Sequence, residues 1–335
     1  MVFVGITGWF LSEFPVYNKN IANAINSNNL SISIYSKLTD KKICETWSWI
    51  INQKDILINF QQFSKNELAL HLRMIDKTNT LVLDPLSIYL LSELNLIELL
   101  KNIFEIRIPH YILDELMDEI SFNYNNHINI KQNKSLLFSN NGEICYHEIS
   151  YEDLRKNITK IEVLKNQIQD NVIGISANYD NNLIEKLKSI LHIGSVQTFL
   201  NTSCASSIIV CDEFIIRKVF KFEMNIDSIN SYSLIHYLKL KGRISNEQFY
   251  RCLYKMVAFG YEVIPFTCHV ILQSLLDFDW NPNNIYFRTL IQKLKNPNSS
   301  HYEVKRIFNQ FWELLKIRNL GNDKINEIIK VIKEI

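Results

Sequence analysis

Two carboxylates stand side by side in "SSIIVCDEFIIRKVF", Ser206–Phe220, where Asp212 and Glu213 follow the apolar run "SIIVC" at once. A run of that kind reads as a buried strand, and the residues after it follow a helix-like pattern with basic residues. Two earlier acids hold comparable places. Asp84 follows "TLVL", and Glu115 lies about one turn into the helix that starts near Pro109 in "PHYILDEL". In an open parallel sheet all strand C-termini share one edge, and sites form there. Asp84 and Asp212 can therefore meet. Glu115 joins from the same edge, because a helix that follows a strand begins where the strand ends. Clustered carboxylates repel unless a cation neutralises them. A hard divalent ion with oxygen ligands, Mg or Mn, suits such a set. It would polarise a phosphate and activate water for in-line attack. Taken singly, each acid reads first as a helix cap or dipole partner, a role such acids commonly fill. Asp118 and Glu119, about a turn beyond Glu115, read as surface charges.

The elements that must position these acids are legible in part. "TLVLD" reads as a strand, "SIYLLSELNLIELLKNIF" as one helix, "EIRIP" as a second strand, and "YILDELMDEI" as a helix with Pro109 in its first turn. That β-α-β-α order predicts a parallel sheet covered by helices. Residues 121–150 read as a polar loop or insertion with a turn at Asn141–Gly142. "YEDLRKNITKIEVLKNQIQD" is a helix capped by Ser150, with Asp153 three residues on, and "NNLIEKLKSIL" and "GSVQTFLNTSCA" are further helices. "INSYSLIHYLKLKGRIS" and "SNEQFYRCLYKMVAFGYEVIPF" follow as helices, the second closed by Gly260. In the N-terminal region, "NIANAINSNN" and "ETWSWIINQKDILINFQQF" are amphipathic helical stretches without evident chemistry. The expected fold class is α/β, a small parallel sheet flanked by helices. Its expected parts are an N-terminal helical segment over 1–77, an α/β core over 78–235 with the insertion at about 121–150, and a C-terminal helical region over 236–335.

The totals set bounds. The chain has 335 residues, 47% hydrophobic and 21% charged, which is enough for a real core. Only 8 Gly and 6 Pro favour long helices over a turn-rich β fold. A net charge of +1 leaves any nucleic-acid surface to local patches. Six scattered cysteines form no CxxC pair and the histidines have no HxxxH spacing, which argues against zinc and fits a reducing, cytoplasmic setting. The apolar start lacks a basic leader and a cleavage site, so it reads as folded chain, and no apolar run reaches the length of a membrane span. No Walker loop, GxSxG or glycine-rich dinucleotide turn competes. Cys204 in "TSCAS" has no histidine placed nearby in sequence, and Cys211 reads as a buried strand residue. Basic residues at Arg217, Lys218 and Lys221, in "LKLKGR", and in the C-terminal helices beside Tyr286, Phe287 and Tyr302 could track phosphates and bases. The C-terminal set reads first as solvated helix faces with a packed aromatic side.

The segment "LVLDPLSIYLLSELNLIELLKNIFEIRIPHYILDELMDEI" resembles the opening of a PIN domain, with an Asp ending the first strand and a "P-x-x-x-x-x-E-L" helix bearing the second acid. "SSIIVCDEFIIRKVF" is similar to the family's late strand-Asp-Asp-x-x-x-Arg element, with Asp212, Glu213 and Arg217 in place. "YLKLKGRISNEQFYRCLYKMVAFGYEVIP" is similar to the tail of larger PIN proteins, so the resemblance covers roughly Thr78 to Leu276. One departure is "HIGSVQTFL", where Ser195 stands in place of an expected Glu. Its hydroxyl can order a water but brings no charge. The resemblance implies a metal-dependent nuclease acting on RNA. Asp84, Glu115 and Asp212 would hold Mg or Mn, with Glu213 assisting. Lys218 and Ser195 would face the substrate, and Arg217, beside the acids, could contact its phosphate or pair with Asp212. It also implies a toxin or antiphage role, which no residue here carries. The alternative is a decayed PIN-like module working through protein contacts, with Ser195 marking the lost site. A protein inhibitor and a homo-oligomer both stay open.

Overall fold

The structure is a computed structural model that describes residues 15–27, 29–52, 58–59, 65–128, 134–138, 144–148, 151–173, 181–202, 207–262, 267–295, 300–318 and 320–334. The chain divides into two compact units, Met1–Ser231 and Tyr232–Ile335. Unit 1 opens with α1 (Pro15–Asn26), α2 (Ile32–Leu38), α3 (Ile43–Asn52), β1 (Ile58–Asn59) and α4 (Lys65–Asp76). Then come β2 (Thr80–Leu83), α5 (Pro85–Glu93), α6 (Ile97–Lys101), β3 (Glu105–Pro109) and α7 (His110–Ile128). The antiparallel strands β4 (Lys134–Phe138) and β5 (Ile144–Glu148) lead to α8 (Tyr151–Ile168) and β6 (Val172–Ile173). The unit closes with α9 (Asn181–Ile190), α10 (Ile193–Leu200), β7 (Ser207–Val210), α11 (Phe214–Met224) and β8 (Ser228–Ile229). From the boundary on run α12 (Ser231–Leu240), α13 (Asn246–Ala258), β9 (Tyr261–Glu262), α14 (Cys268–Leu276), α15 (Ile285–Leu294), α16 (His301–Ile317) and α17 (Asn322–Glu334). The protein is mostly helical around a small parallel sheet, the expected α/β class with helical extensions.

The sheet runs β6-β3-β2-β7-β8, all parallel. All four residues of β2 are buried, which is why "TLVL" reads as an unbroken apolar run and not an alternating one. β2 pairs with β7 in the register Thr80↔Ser207 through Leu83↔Val210. From β2 the chain winds outward through β3 and β6 on one side, then returns to build β7 and β8 on the other. The switch in winding direction falls between β2 and β7, the place where open α/β sheets leave a crevice. Val82, Ile209 and Cys211 pack with Leu187, Phe199 and Phe220 in the core beneath it.

Several elements depart from the sequence reading. The expected single helix over Ser87–Phe104 is two, because Asn95 adopts a left-handed φ of 57° between α5 and α6. The expected helical stretch Glu45–Phe63 stops at Asn52, and Ile58–Asn59 is extended. The region read as a loop continues α7 to Ile128 and then forms the β4–β5 pair, with Phe138 opposite Ile144. Its turn at Asn141–Gly142 and the cap at Ser150 lie outside the described residues. Pro109 ends β3 opposite Ile173, and its helix starts one residue later. α10 ends at Leu200, and Cys204 lies outside the described residues. In unit 2, Ser245 caps α13 in a reciprocal box with Gln248, and Gly260 follows the helix end at φ 82°. Phe287 is core, packed on Phe311, while Tyr302 is exposed. No helix among the described residues is long and apolar enough to cross a membrane.

Candidate active site

Asp84 and Asp212 follow the two strands at the switch point. Asp84 continues the pairing, its N–H donating to the Val210 carbonyl at 3.0 Å, and it caps α5 by accepting from the Ser87 N–H at 3.0 Å. Pro85 occupies the first turn, where it lacks no needed donor. Cys211 holds β7 against β8 by donating its N–H to the Ile229 carbonyl at 2.8 Å. Asp212 then turns to the start of α12. It accepts from the Ser231 N–H at 2.7 Å and from the Ser231 hydroxyl at 2.8 Å. Glu213 is the N-cap residue of α11, but its side chain makes no cap bond there. Its carboxylate accepts from the N–H of Ile32 and, at 3.0 Å, from the N–H of Ser33, the first two residues of α2.

All four predicted acids are interior, with Asp84, Glu115, Asp212 and Glu213 at 2%, 2%, 0% and 6% exposure. Burial and the neighbouring Asp212 push the Asp84 carboxyl up to about 7. Burial and Asp84 push Glu213 up to about 8, against the opposing pull of the α2 N–H bonds. Burial raises Asp212 to about 6, held lower by its two Ser231 bonds and by Arg217. Asp84, Asp212 and Glu213 therefore share one electrostatic environment. Glu115 is buried near the start of α7, whose Tyr111 N–H donates to Gln197 of α10 at 2.9 Å. Burial and the adjoining carboxylates keep the Cys211 thiol well above its ordinary value, so it is no thiolate.

The remaining predicted residues divide. Arg217 is buried on α11 with its guanidinium 3.3 Å from Glu67 of α4, and Glu67 also lies 3.8 Å from His71. Lys218 is exposed, its ammonium 4.2 Å from the centre of the Phe214 ring. Ser195 is buried near the start of α10, with its hydroxyl oxygen 2.8 Å from that of Ser33. Ser33 also accepts from the His192 N–H at 3.3 Å. His192 caps α10 and packs edge-on against Tyr111. Gly194 fits closely here, since a Cβ would stand 2.9 Å from Pro85 Cγ and 3.3 Å from Tyr111 Cδ1. Sequence reasoning missed Ile32, Ser33, Glu67 and Ser231. Three of the bonds they make to the acids come from backbone N–H groups, which no residue type announces.

The donor chemistry suits Mg or Mn, because buried carboxylates of raised proton affinity gain from a cation. The arrangement described is not a ligand shell. Both oxygens of Asp212 and both of Glu213 face protein donors. Among the described residues, no three His, Cys, Asp or Glu side chains are grouped to hold a metal ion. In comparison with known proteins, the chain matches no family model, no curated protein and no solved structure.

Proposed function

We propose that unit 1 hydrolyses phosphodiester bonds as a metal-dependent nuclease of the PIN type, with RNA as the substrate class. The observation that carries this reading is the juxtaposition of Asp84 and Asp212. They end neighbouring parallel strands at the switch point, buried and electrostatically coupled. Uncompensated, that juxtaposition costs stability, and a site is the usual reason for keeping such a cost. Mg or Mn, when bound, supplies a polarised phosphate and an activated water, with Asp84, Glu115 and Asp212 as its holders and Glu213 beside them. The Arg217 guanidinium, held beside Glu67, favours an ionised Asp212. RNA as substrate and a toxin or antiphage role rest on the PIN resemblance alone. The free, buried Cys211, Cys252 and Cys268 accord with a reducing, cytoplasmic setting.

A second reading, a PIN-like module without catalysis, is favoured by the protein donors already seated on Asp212 and Glu213. Calorimetric titration of Mn²⁺, with and without a single-stranded RNA oligonucleotide, separates the two. The nuclease reading expects binding in the wild type that weakens at least about tenfold in Asp84→Asn and in Asp212→Asn, with RNA cleavage lost in both. Binding that is absent, or indifferent to both substitutions, leaves the second reading.

A further inference from the structure

We propose that unit 2 carries a seat for an unpaired base of single-stranded RNA, in the groove between the start of α14 and the later half of α16. The choice of RNA as the source of that base rests on the nuclease reading. Both helices belong to unit 2, and the groove between them holds about 580 Å³, the range of sites that take nucleotide-sized groups. Cys268 and His269 line it from α14, and Asn309, Gln310, Trp312 and Glu313 line it from α16. Two planar groups present their faces here. His269 is exposed and stacks on Tyr250, with ring centres 5.5 Å apart and planes 19° apart. Trp312 is half-buried, so its indole is anchored in the helix packing and still open to the groove. Such aromatic faces hold unpaired bases by stacking.

The polar groups complement a base edge and its phosphates. Asn309 and Gln310 are exposed amides, each with a donor and an acceptor, as base edges require. The Cys268 sulfur stands 3.5 Å from His269 Nδ1 and 3.8 Å from Gln310 Oε1, contacts that orient both side chains. The thiol itself is buried and its proton affinity is raised by burial, so it serves as a neutral prop. Cations adjoin the aromatic row. Lys239 Nζ lies 4.4 Å from the centre of the Phe249 ring and 5.6 Å from that of Tyr250. Arg306, one turn before Gln310 on α16, brings a positive charge within reach of Cys268. Lys316 offsets the Glu313 carboxylate at 2.7 Å. Stacking faces with flanking cations are the means by which proteins hold single strands. An apolar peptide would find little to bury, since Leu314 is the one aliphatic side chain lining the groove among the described residues.

The test is calorimetric titration of the full chain with a short mixed-sequence single-stranded RNA in EDTA, where no metal contributes. Trp312→Leu keeps an apolar side chain and removes the planar face, while Trp312→Phe keeps a face. Binding should weaken about tenfold in Trp312→Leu and stay within about threefold of wild type in Trp312→Phe. Circular dichroism checks that each variant is folded. Should Trp312→Leu fail to fold, His269→Ala carries the test, because that side chain is exposed and its loss leaves the core intact. It should weaken binding about fivefold. RNA that does not bind in EDTA, or binds wild type and the folded variants alike, overturns the seat. A mononucleotide that binds as tightly as the RNA makes the occupant a free nucleotide and overturns the assignment to a strand. None of these results touches the Asp84-dependent Mn²⁺ titration, so the seat and the nuclease reading fail separately.

Discussion

Asp84 puts function and stability in opposition. Its carboxyl is pushed up to about 7 by burial and by Asp212, so ionising it in the folded protein is unfavourable at neutral pH. A group whose folded pKa lies above its unfolded value contributes stability that is complete below the unfolded value and lost as pH rises through the folded one. Without metal, Asp84 therefore weakens the fold between its ordinary 3.8 and about 7. Asn keeps an oxygen for the Ser87 N–H and carries no charge. Asp84→Asn should gain up to about 4 kcal/mol over wild type at pH 8 in a chelating buffer, with the gain shrinking toward pH 4. Urea unfolding at several pH values checks this. The same substitution should weaken the proposed metal binding at least about tenfold, the trade expected of a site whose charges oppose folding. A variant that is merely destabilised would assign Asp84 to capping alone.

The elements hold the site through close approach at α10. Gly194 lets the helix settle against Pro85 of α5 and Tyr111 of α7, and thereby places Ser195 against Ser33. A methyl group there stands 2.9 Å from a ring carbon of Pro85, which is not a flexible side-chain end that can swing aside. Gly194→Ala should cost about 1–3 kcal/mol, the usual range for overpacking a tight interior contact. Thermal unfolding measures that cost. A neutral or stabilising outcome would show that α10 has slack and does not fix Ser195. Of this arrangement, the sequence revealed the helix and the Gly-Ser pair. It could not reveal that Ser195 is met by Ser33, because the meeting depends on where α2 lies in space. The same limit explains the missed strands. β6 and β8 have two residues each, too short to carry any periodicity, and they exist as strands only because β3 and β7 supply their partners.

At the scale of the molecule, unit 1 carries titrating groups of opposing sense. Burial lowers His71 to about 4, helped by Arg217, and lowers His192 to about 4. The unfolded histidines take up protons near 6.5 and the folded ones refuse them until about 4. Their contribution to stability is complete above 6.5 and is lost as pH falls toward 4. The buried carboxylates act in the other direction as pH rises. The double variant His71→Gln, His192→Asn, with Asn retained as a helix cap, should show a smaller loss of stability than wild type between pH 6.5 and pH 4. Urea midpoints across that range test this, and a parallel decline in both proteins would remove the histidines from the account.

The sequence by itself determined the α/β class, the strands β2, β3 and β7, and the identity of the acids at their ends. Each of these is local, since an apolar run, the residue that follows it and the helix period after it all lie within a few residues of one another. Only the tertiary structure decided that Asp84 and Asp212 flank the switch point, that Arg217 answers to Glu67, and that the N-terminal segment belongs to the acid site at all. The physical reason is the same in the last case as for β6 and β8. A buried carboxylate must find donors, and backbone N–H groups satisfy it from any part of the chain that folding brings near, whatever side chains those residues bear.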